Sequence, residues 1–254
     1  MTLQEETELF ASLPRLLVCT DFDGTLTPIQ PDPDAVQLSE SARQLLSNLS
    51  RLPSTTLAIV SGRSMQDVRQ RIGLPDLWYV GNHGLEIVGP DATYLHPDLD
   101  QLRPALESWL RLLRQELSHI TGLFIEDKQY TVSVHYRSVK DQEMRNEVER
   151  TVKQSCPASF EIRHGKMVWE LRPKVDWHKG RGIAWLIERF QAPVAFLGDD
   201  ETDEDAFTFL GTAALTIKVG DTPTAARYRL TNVSAATSWL TQLYHERLKS
   251  FQQK

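Results

Sequence analysis

Asp21 and Asp23 stand one residue apart in the run Asp21-Phe22-Asp23-Gly24-Thr25-Leu26-Thr27. Two carboxylates at that spacing can serve one divalent cation, one through its side chain and the other through its backbone carbonyl. Gly24 permits the sharp turn that would aim backbone N–H groups at an anion. The same run also fits a strand-end turn in which an aspartate caps the next helix. A second group is Ser61-Gly62-Arg63, a hydroxyl and a flexible backbone just ahead of a helix start, where a phosphate could be held. Ser-Gly equally marks an ordinary turn. The third group, Asp199-Asp200-Glu201-Thr202-Asp203-Glu204-Asp205, carries six acids in seven residues. Like charges that dense repel one another, and a cation is the natural compensation. Hard carboxylate oxygens suit Mg²⁺, which takes few protein carboxylates and keeps several waters. An EF-hand does not fit, because Glu204 stands at the sixth position, where that loop needs Gly. A solvated acidic helix start, favoured by the helix dipole, is the plainer reading. Lys179, in Trp177-His178-Lys179-Gly180, is a fourth candidate, a cation immediately before a helix.

These groups follow short apolar runs. Leu16–Cys19, Leu57–Val60, Leu77–Val80 and Val194–Leu197 read as strands buried on both faces, each ending in a polar loop. Helical patterns alternate with them: Ala42, Leu45, Leu46, Leu49 and Leu52; then Met65, Val68 and Ile72, opened by Ser64 and Asp67 as a capping pair. Ala213–Val219 predicts a last strand and residues 236–248 a closing helix. Between residues 99 and 175 the pattern differs, with a helix over 99–118, strands near 123–126 and 130–136, a helix over 141–154, and strands near 160–163 and 167–171. That order predicts an antiparallel sheet with its helices on one face. The fold class is therefore α/β, a doubly wound Rossmann-like parallel sheet at 1–98 and 176–254, with an inserted α+β cap domain at 99–175.

Composition narrows the function. The chain of 254 residues has 28 Lys+Arg against 34 Asp+Glu, a net charge of −6, with 41% hydrophobic and 24% charged residues. This is a globular composition. Its acidic balance argues against nucleic-acid and anionic-membrane partners. Cys19 and Cys156 have no metal-site spacing, and Cys19 lies in an apolar run as a buried free thiol. The start of the chain has no basic or apolar leader, and no apolar run approaches the roughly 20 residues of a membrane span. The expected location is the cytoplasm.

Taken in chain order, Asp-x-Asp-Gly-Thr, Ser-Gly-Arg, Lys and Gly-Asp-Asp resemble the haloacid dehalogenase superfamily of phosphatases, across the whole core. The resemblance implies that Asp21 attacks phosphorus and that Asp23 protonates the leaving oxygen and later activates water. It implies Mg²⁺ held by Asp21, the Asp23 carbonyl and Asp199, with Asp200 or Asp203 reached through water. Ser61, Lys179 and N–H groups around Gly24 would grip the phosphate oxygens, and Thr25 would buttress the first loop. In that superfamily the insert selects the leaving group.

Gly81-Asn82-His83-Gly84, Thr131–Arg137, Gly165–Pro173 and Gly198–Glu204 resemble the trehalose-6-phosphate phosphatase family in particular. The resemblance assigns Glu126, Arg137, Lys166 and Glu170 to a disaccharide phosphate, with Asn82 and His83 on the core side. It implies a monomer with functional coupling to a trehalose-phosphate synthase. Val168 and His178 depart from the family pattern. Arg137 with Glu126, and Lys166 with Glu170, also fit plain ion pairs, and Trp169 and Tyr136 fit the cap core. A phosphatase for sucrose phosphate, glucosylglycerol phosphate or another glycosyl phosphate is the alternative enzyme, and a non-catalytic sugar-phosphate-binding module the alternative class.

Overall fold

The computed structural model describes residues 1–30, 33–165 and 167–252. The chain divides into two compact units, Met1–Tyr94 with Trp177–Lys254, and Leu95–Asp176. The first begins with α1 (Leu3–Ser12), β1 (Leu16–Thr20), α2 (Glu40–Ser50), β2 (Thr55–Val60), α3 (Met65–Ile72), β3 (Trp78–Gly81), β4 (Glu86–Val88) and β5 (Thr93–Leu95). The insert contributes α4 (Leu99–Glu116), β6 (Phe124–Asp127), β7 (Val132–His135), α5 (Gln142–Ser155), β8 (Phe160–Gly165) and β9 (Val168–Pro173). The chain then returns through α6 (Lys179–Phe190), β10 (Val194–Gly198), α7 (Glu201–Leu210), β11 (Leu215–Val219), β12 (Tyr228–Leu230) and α8 (Val233–Gln252).

In the first unit the sheet runs β12-β11-β10-β1-β2-β3-β4-β5, and its six strands from β12 to β3 are parallel. One face packs Leu16, Val18, Leu57 and Ile59 against α1, α2, α3 and α8. The other packs Leu17, Cys19, Ala58 and Val60 against α6 and α7. Strands covered on both sides must be apolar at every position, which is why they read as runs. Chain order reverses at β1, with β2 on one side and β10 on the other, so a crevice opens at their carboxyl ends.

The insert is a separate body with its own core. Its antiparallel sheet runs β6-β7-β9-β8. Val132, Val134, Trp169 and Leu171 pack on α4 and α5 through Leu106, Leu110, Leu113, Val148 and Val152. Strand alternation then turns Glu126, Ser133, His135 and Glu170 to the opposite face. Trp169 belongs to this core. Where the chain leaves and re-enters the first unit, the rings of Tyr94 and Trp177 stack 5.2 Å apart. Trp177 Nε1 also donates to the Gly84 carbonyl at 2.5 Å.

The fold class is thus a doubly wound α/β core with an α+β insert. Several element limits differ from the sequence pattern. The strand predicted over Ala213–Val219 starts at Leu215, after a 3₁₀ turn at Gly211–Ala213. The helix expected just after Lys179 starts at Lys179 itself, and the closing helix extends over Val233–Gln252. Among the described residues, no helix is long and apolar enough to cross a membrane.

Candidate active site

The sheet register brings the acidic loops together. Thr20 pairs with Ile59 of β2 and Leu197 of β10, so Asp21, Ser61 and Asp199 follow at neighbouring strand ends. Asp21 N donates to Leu197 O at 2.8 Å. After it the chain turns tightly: Phe22 O accepts from Leu26 N and Thr27 N, and Gly24 N donates to Thr27 O at 2.7 Å. Gly24 has φ +84°, and a Cβ there would run into the Asp199 carboxylate, with Oδ1 at 2.6 Å and Oδ2 nearer still. Gly24 therefore supplies the left-handed turn and the room for Asp199. Its own N–H is engaged inside the turn, which removes it from the expected phosphate grip. Thr25 Oγ1 donates to Asp199 Oδ1 at 3.4 Å.

Lys179 lies at the centre, with a side chain only 1% exposed. Its ammonium is 2.9 Å from Asp21 Oδ1, 2.8 Å from Asp203 Oδ1 and 3.7 Å from Asp200 Oδ1. Burial alone would lower its pKa, but the three carboxylates outweigh burial and raise it well above the usual lysine value. Burial lifts the Asp21 and Asp203 carboxyls well above their ordinary range, against the pull of Lys179. Burial, with Asp203 and Asp200 nearby, pushes Asp199 up to about 7.

Four carboxylates around one ammonium leave the site short of positive charge. Ligand oxygens of Asp21, Asp199 and Asp203 lie within 4.8 Å of one another, a spacing that one divalent cation can span. These residues fit a metal. Asp203, one of the two carboxylates expected to be reached through water, shares this cluster. Asp203 also organises its loop, since its Oδ2 accepts from Asp199 N at 2.9 Å and Asp200 N at 3.1 Å. Asp200 closes the capping box of α7 by accepting from Asp203 N. Lys218 Nζ fixes the Asp199 carbonyl at 2.6 Å.

Ser61 is buried, and its Oγ accepts from Arg63 N at 3.1 Å. Its carbonyl accepts from His83 N at 3.1 Å, while Asn82 N donates to Arg63 O at 2.8 Å. The Ser61 and Asn82-His83 loops are thus one unit. Asn82 and His83 are buried in left-handed conformations, with φ of +46° and +58°. Asn82 Nδ2 donates to the Glu86 carboxylate, which burial raises above its ordinary pKa.

In the insert, Glu126 Oε2 meets His135 Nε2 at 3.0 Å, with the Phe124 ring stacked on His135. Glu170 receives Lys128 Nζ at 3.2 Å on one oxygen and the Arg172 guanidinium on the other. Register places Glu126, Ser133 and Glu170 side by side across three strands. Arg137 is exposed in the turn after β7. Lys166 lies outside the described residues.

A sequence model of the trehalose-phosphatase family matches residues 19–234. The chain belongs to the trehalose-phosphatase family. Trehalose-phosphate phosphatases of Mycobacterium tuberculosis are 39% identical over 224 residues, covering 83% of this chain and 56% of theirs. That of Mycobacterium marinum is 38% identical over 232 residues, covering 86% and 59%. The chain spans a little over half the length of these curated relatives. A solved trehalose-6-phosphate phosphatase related protein superposes with TM-score 0.77 at 27% identity, covering 94% of this chain and all of that one. The C-terminal domain of Candida albicans trehalose-6-phosphate phosphatase has TM-score 0.79 at 23% identity, covering 96% and 95%, and shares the fold.

One departure from the family pattern has a structural reason. His178 caps α6, its Nδ1 accepting from Gly180 N at 3.2 Å, which is the task of a small polar residue there. Sequence reasoning missed Lys218 as an anchor of the Asp199 loop, and Lys128 and Arg172 as partners of Glu170. Glu126 and Lys128 sit at strand spacing i, i+2, the one local signal that they share a face. It also missed the partner of Asp23: Arg63 Nε and Nη2 reach Asp23 Oδ2 and Oδ1 at 2.6 and 2.7 Å.

Proposed function

We propose that this chain hydrolyses trehalose 6-phosphate to trehalose and inorganic phosphate, with Mg²⁺ as its resident cation. The observation that carries the reading is the buried Asp21, held 2.9 Å from Lys179 and followed two residues later by Asp23, in a core of the trehalose-phosphatase family. An Asp21 oxygen attacks phosphorus while the bond to the sugar oxygen breaks. The sugar oxygen leaves with that electron pair and takes a proton from Asp23, giving trehalose and an aspartyl-phosphate. The Asp23 carboxylate then removes a proton from water, whose oxygen attacks phosphorus. The bond to Asp21 breaks, phosphate departs, and Asp23 carries a proton for the next cycle.

Lys179 orients Asp21 and, with Ser61, grips phosphate oxygens as charge shifts. Thr25 steadies Asp199. Mg²⁺ held by Asp21, Asp199 and the Asp23 carbonyl, with Asp200 or Asp203 reached through water, would offset the repulsion between nucleophile and phosphate. Asn82 and His83, with Glu126, Arg137, Lys166 and Glu170 of the insert, would bind the disaccharide, whose hydroxyls need donors and acceptors together. The reading includes a cytoplasmic monomer supplied by a trehalose-phosphate synthase; the two free thiols and acidic charge support that setting.

The test is phosphate release from trehalose 6-phosphate, sucrose 6-phosphate, glucosylglycerol phosphate and glucose 6-phosphate, with Mg²⁺ or chelator. Selective turnover of trehalose 6-phosphate that chelator removes and Mg²⁺ restores is expected. Selective turnover of another sugar would reassign the substrate, and no turnover by the folded, Mg²⁺-supplied protein would overturn the enzymatic reading.

A further inference from the structure

The reaction just described gives Arg63 no task, yet Arg63 makes a two-bond fork with the one carboxylate asked to move protons. Its Nε and Nη2 engage both Asp23 oxygens, at 2.6 and 2.7 Å. The guanidinium is itself tethered. Arg63 Nη1 donates to Asp67 Oδ2 at 2.7 Å, and Asp67 takes Arg71 Nε at 2.8 and 2.9 Å. Arg71 is fixed in turn by the carbonyls of Asp34 and Val36, at 3.0 and 2.8 Å. The Arg63 side chain is 11% exposed and lies 5.6 Å from the Phe22 ring centroid. An alternating chain of charges thus runs from α3 to the first loop and ends on Asp23.

Proton transfer needs the donor oxygen within hydrogen-bond reach of the reacting oxygen, in a defined direction. Asp23 is one-third exposed and flanks Gly24, so its own packing does not set that direction. A carboxylate offers about four acceptor positions, and the fork occupies one on each oxygen. The remaining positions stay available, while rotation of the carboxylate would break both bonds. We propose that Arg63 is a positioning residue that fixes the plane of the Asp23 carboxylate for proton transfer to the leaving sugar. This inference rests on the reading of Asp23 as the acid.

The test compares single-turnover release of the leaving group from trehalose 6-phosphate and from p-nitrophenyl phosphate. A sugar alkoxide needs a proton to leave, whereas nitrophenolate leaves without one. Arg63→Gln and Arg63→Lys are expected to slow the sugar substrate by about 30- to 100-fold and the aryl substrate by less than about fivefold. Asp23→Asn should show the same asymmetry, and Arg63→Lys on top of Asp23→Asn should cost less than about threefold more. Thermal unfolding checks each variant. If Arg63→Gln does not fold, Arg63→Lys, which keeps the charge and most of the stem, carries the comparison. Equal losses on the two substrates, or losses that multiply with Asp23→Asn, would make Arg63 a purely structural tie and overturn the inference. An Asp23→Asn variant without the asymmetry would remove the acid assignment itself, and this inference with it.

Discussion

Gly24→Ala should damage catalysis far more than folding. Alanine at φ +84° costs about 1–2 kcal/mol of backbone strain. At roughly 2–4 °C per kcal/mol for a chain of this size, the melting temperature should fall by about 2–8 °C. The new methyl would also meet both Asp199 oxygens, Oδ2 the closer, well short of the 3.4 Å of an ordinary contact, so the carboxylate must withdraw by more than about 1 Å. Displacement of a functional group by about 1 Å can cost on the order of 100-fold in rate. The expected result is a folded protein whose kcat/KM on trehalose 6-phosphate falls about 100-fold and whose Mg²⁺ requirement rises. Gly211→Ala is the control: Gly211 also has positive φ, at +59°, but nothing lies within 4 Å of its added Cβ. It should lose melting temperature and keep activity. Phosphate release and melting curves on both variants decide the matter. A folded Gly24→Ala protein within threefold of wild-type activity would refute the assignment of Asp199 to a demanding position.

Asp21→Asn should abolish phosphate release while far-UV circular dichroism stays unchanged; near-normal turnover in the folded variant would remove Asp21 as nucleophile. Glu170→Gln should raise KM for trehalose 6-phosphate more than for p-nitrophenyl phosphate, and equal effects would exclude it from leaving-group recognition. Arg247→Leu strands the carbonyl of Leu13, which a fully buried guanidinium now serves at 2.9 Å, and takes one of two donors from the carbonyls of Ala11 and Ser54. It should destabilise by about 1–3 kcal/mol in urea unfolding, and a loss under about 0.5 kcal/mol would refute that role. Cys19 is buried and burial drives its pKa up, so the thiolate forms only above the ordinary thiol range. A thiol reagent at pH 8 should leave Cys19 unmodified in the native protein and modify it in urea; peptide mapping reads this directly.

Much of the architecture is legible in the sequence because burial on two faces leaves an unbroken mark. Leu16–Cys19 and Val194–Leu197 could scarcely be anything but inner strands, and the polar loops after them stand where an α/β sheet binds ligands. The short strands β4, β5 and β12, at or next to the sheet edges and of three residues each, carry too few positions to show a period. The first helix was readable in principle, since Thr2 and Glu5 form a capping box. Its acidic face and weak apolar stripe hid it. The start of α6 was obscured because histidine is an unusual cap. In the site, residue types along the loops announced phosphate and cation chemistry. Pairings across long sequence separations did not show, among them Arg63 with Asp23 and Lys179 with Asp203. Such contacts depend on side-chain reach in the folded sheet, and no local spacing encodes them.

The stacked rings of Tyr94 and Trp177 have a consequence for how the chain finds its sheet. β1 and β10 are neighbours, yet the whole insert lies between them in the chain, and closing a flexible loop of that length would cost about 4 kcal/mol, growing only with its logarithm. The insert has its own core, and the two residues of the first unit that flank it in the chain, Tyr94 and Trp177, stack on one another. Once folded, it acts as a short bridge of fixed span rather than a long floppy tether. Sequence inside the insert can then vary, grow or shrink with little entropic effect on closure of the sheet that aligns Asp21 with Asp199. The part of the chain that would choose the sugar is in this polymer sense decoupled from the part that would break the phosphate bond.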